Sequence, residues 1–337
     1  MRGLMSFLLL LALAAFAASA GQSPADAPEL FLPGIVSTAA HEMCLRFSPS
    51  MKDLYLVRAS LDFQPAILRF TKSAGGWSAP VLASPAPGRT VSYPALTPDG
   101  RRMFFDARTA GNPGNTDIWM AHLRGDDWER PAPVPGVNSP SVEMHASVAA
   151  SGNLYFCSNR PGGVGAFDLY VAASTPGGFA LPVNLGRSVN SPENEFHPYV
   201  APDESYLLFD AQRSDGLGSN DLFVAFRKGD GTWSGAMNLG SSINSGAGDM
   251  RPYVAPDGRT LYFCSNRSIG DPGEAPPSLE AFQRRANGPG SGSQDIYHVN
   301  SDTFLRLRPP AEIDSIRQEA GMAVRPHSRS PKFEDRP

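Results

Sequence analysis

Four carboxylates, Glu42, Glu143, Glu195 and Asp249, head equivalent stretches of this 337-residue chain. Two residues after them stand Cys44, His145, His197 and Arg251, and a fifth stretch carries Val91 and Tyr93 at the same two places. Carboxylates, imidazoles, a phenol and a guanidinium at one repeated spacing could hold a polar ligand, bind a cation or exchange protons. Side chains alternate along a strand, so each pair shares one face, while Met43, Met144, Phe196 and Met250 between them turn to the other and pack among apolar neighbours. The first place is almost always acidic and the second varies. A repeat that breaks its own pattern marks Tyr93, His145, His197 and Arg251 as ligand contacts. The constant acids have a plainer reading as well, in which each accepts amides from the loop before it.

If the acids ring one axis, they repel. Two charges ~8 Å apart at an effective dielectric near 20 cost about 2 kcal/mol. Candidates to offset this are Arg251, protonated His145 or His197, loop amides near Asn138, Asn190 and Asn244, a bound cation, or a basic ligand. The expected site is therefore Glu42, Tyr93, Glu143, His145, Glu195, His197, Asp249 and Arg251, with no cofactor beyond a cation at the carboxylate ring.

The elements that must position these residues are legible as repeats. LYFCSNR occurs at Leu154–Arg160 and again at Leu261–Arg267, inside five units that begin near 41, 91, 143, 195 and 249, a period of about fifty residues. Each unit has a short first run such as HPYVAP, then a turn such as Pro98-Asp99-Gly100 or Pro256-Asp257-Gly258. Pro presets φ and Gly accepts positive φ, so these are hairpin turns. An aromatic second strand follows, then a loop, a third strand opening on Asp117, Asp168, Asp221 or Asp295, and a fourth opening on Trp77, Trp128, Phe179, Trp233 or Phe304. Four short antiparallel strands repeated in tandem make an all-β propeller, because a ring lets each blade bury both faces against its neighbours. The first strand is innermost, so the site residues should gather at one mouth of the central channel. Leu30–Met43 resembles the end of a blade and is placed to close the ring as the outer strand of blade five, in competition with Thr303–Leu307.

Arg2, an apolar run and Ala18-Ser19-Ala20 have the form of a secretory signal peptide cleaved near Ala20, too short to span ~30 Å of hydrocarbon comfortably. The chain divides into this leader (1–20), the propeller (21–309) and a short helix with a polar tail (310–337). An insertion at 268–294 in blade five contains PSLEAFQRRA, a helical turn. The formal charge of −4, with no basic stripe, excludes nucleic acid as a partner. Three cysteines, Cys44, Cys157 and Cys264, are too few for a disulfide framework and read as small buried apolar residues. The mature protein is expected to be exported, secreted or periplasmic, monomeric and not embedded in a membrane.

YVAPDGRTLYFCSNR followed by DIY, and HPYVAPDESYLLFDAQR followed by DLF, resemble the TolB-like, WD40-like bacterial propeller repeat over about Glu29–Pro309. The resemblance implies an exported interaction platform. Relatives often close with six blades, so six is the alternative to the five counted. The extra N-terminal domain of TolB and a peptidoglycan-binding domain have no counterpart in the sequence.

Arg160 with Asp168, Arg213 with Asp221, and Arg267 with Asp295 are expected to pair across the loop between strands two and three. Enzyme signatures are poor. HEMCL at His41 lacks the second His of a zincin, no nucleophile elbow or phosphate loop occurs, and GDGTW has the wrong spacing for a sialidase Asp-box. The expectation is a non-catalytic binding module for a protein or glycan. The alternative is a glycoside hydrolase or lyase using Glu143 and Glu195, since such a pair must stand roughly 5–10 Å apart.

Overall fold

The structure is a computed structural model and describes residues 26–60, 62–108, 115–125, 127–268 and 278–310. Five antiparallel blades follow one another around a ring. The innermost strands are His41–Phe47, Val91–Leu96, Glu143–Val148, Glu195–Val200 and Asp249–Val254. The second strands are Asp53–Ala59, Arg102–Arg108, Leu154–Ser158, Tyr206–Ala211 and Thr260–Ser265. The third are Pro65–Ser73, Thr116–Arg124, Asp168–Ala172, Asp221–Phe226 and Asp295–Asn300.

The ring closes through the N-terminal piece. Glu29–Leu30 is the outer strand of blade five, with Glu29 opposite His298 and Leu30 opposite Tyr297. Ser37 fastens the joint, since its hydroxyl donates to the Ile296 carbonyl at 3.1 Å and accepts the Ile296 amide at 3.2 Å. Phe31 sets its ring edge-on to Tyr262 at 4.9 Å. The competing segment forms a helical turn, Asp302–Leu305, and Phe304 is buried within it rather than opening a strand. The aromatic that was expected to open the fourth strand also moves. Trp77, Phe179 and Trp233 sit in hairpins after the third strand, and the paired outer strands, Val81–Leu82, Val183–Asn184 and Met237–Asn238, come later. Only in blade two does one longer strand, Asp127–Pro133, contain the aromatic, Trp128.

The core lies between blades. Leu56, Phe105, Phe156, Phe209 and Phe263, one from each second strand, are at most 1% exposed. Apolar clusters join blades one to two, two to three, three to four, and four through five to one. Residues 279–287 form the helix expected in the insertion, capped by Ser278, whose hydroxyl accepts the Ala281 amide. The helix anticipated after Pro309 lies outside the described residues. Among the described residues no helix is long and apolar enough to cross a membrane.

Candidate functional site

Each innermost strand carries an irregularity of register at the same place: Glu42/Cys44, Ser92/Ala95, Met144/Ser147, Phe196/Tyr199 and Met250/Tyr253. Upstream of the irregularity is the acidic column. Glu42, Glu143, Glu195 and Asp249 are all fully buried. Glu143 accepts the Ser139 amide and hydroxyl at 2.7 Å each, the Ser158 hydroxyl at 2.8 Å and an Arg160 N–H at 3.0 Å. Glu195 repeats this with Ser191 and Arg213, Asp249 with Ser245 and Arg267, and Glu42 with Thr38 and Arg58. The expected mutual repulsion is therefore answered within each blade, by its own guanidinium and loop donors. Asn138, Asn190 and Asn244 are elsewhere, clamping the backbones of Ile118, Leu169 and Leu222.

This corrects the expected Arg–Asp pairs. Arg160, Arg213 and Arg267 turn to the first strand and lie over the rings of Phe156, Phe209 and Phe263 at 5.2–5.4 Å. Asp168 and Asp221 take loop amides instead, from Val164 and Gly165 and from Leu217 and Gly218. LYFCSNR is thereby accounted for: Leu, Tyr and Phe fill the core, Ser and Arg serve the buried acid, and Asn159 and Asn266 accept the amides of Val142 and Gly248.

At the irregularity itself the backbone turns left-handed. Tyr93, His145, His197 and Arg251 have φ of 51°, 60°, 49° and 58°. Such residues cost of order 1 kcal/mol or more each and persist where their surroundings hold them. The holding groups come from the preceding blade. Asp106 accepts the His145 amide and Asp210 the Arg251 amide, both at 2.9 Å. These two aspartates occupy a second-strand position that reads Val57, Asp106, Cys157, Asp210, Cys264 around the ring. Sequence reasoning missed them. The signal was present as FFDA and LLFDA alternating with LYFCS.

The turn throws the four side chains together. His145 and His197 stack at 3.8 Å, and Tyr93 meets them edge-on at 4.1 Å and tilted at 5.2 Å. Arg251 donates Nε–H to the Tyr93 hydroxyl at 2.9 Å and Nη1–H to the Gln294 side chain at 2.9 Å. Cys157 lies 3.4 Å from His145 Nδ1, and His197 Nδ1 lies 2.7 Å from Asp210. Asp210 also accepts from Asn220 and the Arg251 amide, so His197 donates from Nδ1, and among the described residues its buried Nε2 has no partner. His145, His197 and Arg251 are each 8% exposed: the contacts foreseen at a channel mouth instead form a plug.

Burial governs the charge states. It pushes His145 and His197 well below the ordinary imidazole value, with Arg251 adding to the effect on both. It raises Asp106 strongly and Asp210 to about 6, and raises Cys157, so no reactive thiolate arises beside His145. Burial opposes the charge of Arg251, but Tyr93, Cys264 and Asp210 outweigh it. All three cysteines are free and buried. Among the described residues no three His, Cys, Asp or Glu side chains are grouped to hold a metal ion.

Two residues further along the innermost strands, on the hairpin side, the ring opens. Arg46, Ala95, Ser147, Tyr199 and Tyr253 line a cavity of about 280 Å³ whose rim includes Pro49, Pro98, Pro202 and Pro256. A second cavity of about 230 Å³, lined by Phe63, Gln64, Thr90, Ser92, Asp106 and Arg108, lies at the opposite end of the strands, against blades one and two.

No family model and no curated protein matches the chain. Solved structures do. A thermostable family-43 glycoside hydrolase aligns with 80% of this chain and 92% of its own, at 15% identity and a TM-score of 0.50. An α-L-arabinofuranosidase from Lactobacillus brevis aligns with 79% and 91%, at 14% identity and 0.50. A TolB-type protein from Agrobacterium tumefaciens aligns with 77% and 90%, at 18% identity and 0.47. At these identities the likeness is one of fold alone: a five-bladed propeller.

Proposed function

We propose that this chain is an exported, non-catalytic binding module that receives a protein or glycan ligand at the mouth of its central channel. The leader at 1–20 supports export. The observation that carries the reading is the pairing of an axial plug with an open cavity just outside it, walled by Tyr199, Tyr253 and Arg46. Concave, mostly apolar sites with a few convergent polar groups are where ligands bind. The hairpin-side mouth fits this description better than the strand-start side that the acidic column marks, because that column is internally satisfied.

The test is capture of a partner from periplasmic or extracellular extract by the wild type and by Leu96→Trp, which fills the half-buried cavity wall. Capture by the wild type that vanishes in a Leu96→Trp protein of similar thermal stability supports the reading, and equal capture by both overturns it. A glycoside hydrolase or lyase acting through Glu143 and Glu195 has the shared fold in its favour and the burial of both carboxylates against it. Reducing ends released from a polysaccharide panel by the wild type, and not by Glu143→Gln, would establish it instead.

A further inference from the structure

The radial arginines of this ring have acids: Arg58, Arg160, Arg213 and Arg267 each reach a buried carboxylate of their own blade within 3.0 Å. Arg46 is different. It is half-buried in the wall of the hairpin-side cavity, donates to the carbonyl of its neighbour Leu45 at 2.7 Å and lies over the Tyr253 ring at 4.8 Å. Among the described residues no carboxylate lies within ion-pair distance of it, and no Asp or Glu lines the cavity. A partly desolvated guanidinium without an anion is costly, and the deficit is met when an anion arrives. The Tyr253 hydroxyl accepts the Phe47 amide at 3.1 Å, which leaves its own proton to give. Against these two donors stand apolar walls, Val148 and Leu96 among them.

Resting on the channel-mouth reading above, we propose that this cavity binds a carboxylate carried on a compact apolar body, with Arg46 and the Tyr253 hydroxyl as its donors. Size sets the limit. About 280 Å³ falls just under the ~300–1,000 Å³ usual for ligand pockets, so the bound moiety is small. The same chemistry is offered by a free organic acid and by the terminal carboxylate of a peptide ending in an apolar residue.

Calorimetry on the mature chain separates these, using 3-phenylpropanoate, 3-phenylpropanamide, the peptide Ala-Ala-Phe and its C-terminal amide. The expected result is binding of at least one acid with an affinity tenfold or more above its amide, reduced to the level of the amide in Arg46→Gln and partly kept in Arg46→Lys. Preference for the free acid or for the peptide identifies the source. Equal affinity for acid and amide, no binding of either acid, or an acid preference that survives Arg46→Gln overturns the inference. The Leu96→Trp protein distinguishes the levels. If it still captures the partner, the channel-mouth reading fails; if capture is lost while acids and amides bind the wild type alike, only the carboxylate assignment fails.

Discussion

At the residue scale, burial decides what each ionisable group can do. Glu195 is fully buried and, among the described residues, its only cation is Arg213. Arg213→Ala strands that carboxylate and is expected to cost about 3–5 kcal/mol in denaturant unfolding, while Arg213→Met with Glu195→Gln recovers part of the loss. Asp295 shows the opposite situation. Its counterparts Asp168 and Asp221 each take two loop amides, but Asp295 takes the Gly290 amide at 2.7 Å and, among the described residues, its buried Oδ1 has no hydrogen-bond partner. Burial accordingly pushes it up to about 7. A carboxyl raised on folding contributes stability that is fully present below its unfolded value near 4 and lost as pH rises through about 7. Asp295→Asn should remove that slope. Relative to the wild type it is expected to gain about 1–2 kcal/mol between pH 5 and pH 8, screening by solvent included. Parallel slopes for the two proteins would contradict this.

At the scale of the element, two glycines join neighbouring blades. A Cβ on Gly165 would stand 2.1 Å from the Glu193 carbonyl, and one on Gly218 would stand 1.7 Å from the Ala247 carbonyl. The loops after the second strands of blades three and four thus rest directly on the entry to the next blade, where Phe167 bridges Asn194 and Asn220 bridges Gly248. Gly218→Ala is expected to destabilise by about 1–3 kcal/mol or more, read as a lowered melting temperature, because the obstacle is backbone and cannot swing aside. These strands, turns and repeats were legible because hairpin chemistry and aromatic runs are local. The partner of Arg160 was not. Asp168 is eight residues away and Glu143 seventeen, yet pairing sets Glu143 opposite Ser158, beside the arginine. Nor was the left-handed turn legible, because Tyr, His and Arg do not advertise positive φ as Gly does. The varied column was visible in the sequence, but its packing into one buried cluster depended on that turn.

At the scale of the whole molecule, stability depends on closure. Phe31 packs on Tyr262 and Phe47 and hydrogen-bonds through its amide to Ile296 at 2.8 Å, tying the first residues of the fold to its last blade. Phe31→Asp is expected to lower the melting temperature and broaden the transition, because an opened circle loses one of its nearest-neighbour interfaces. An unchanged, equally sharp transition would mean that the latch is dispensable. The second-strand position around the axis has a further consequence. Aspartate and cysteine take turns there through Asp106, Cys157, Asp210 and Cys264. A strict two-letter rhythm cannot be completed on a circle with an odd number of members, so one seam must fall out of step. It falls at Val57, where neither letter is present, and in the same blade Cys44 stands in the column without the left-handed turn of its four counterparts. Parity alone thus gives the disc a marked sector, the one that also contributes Arg46.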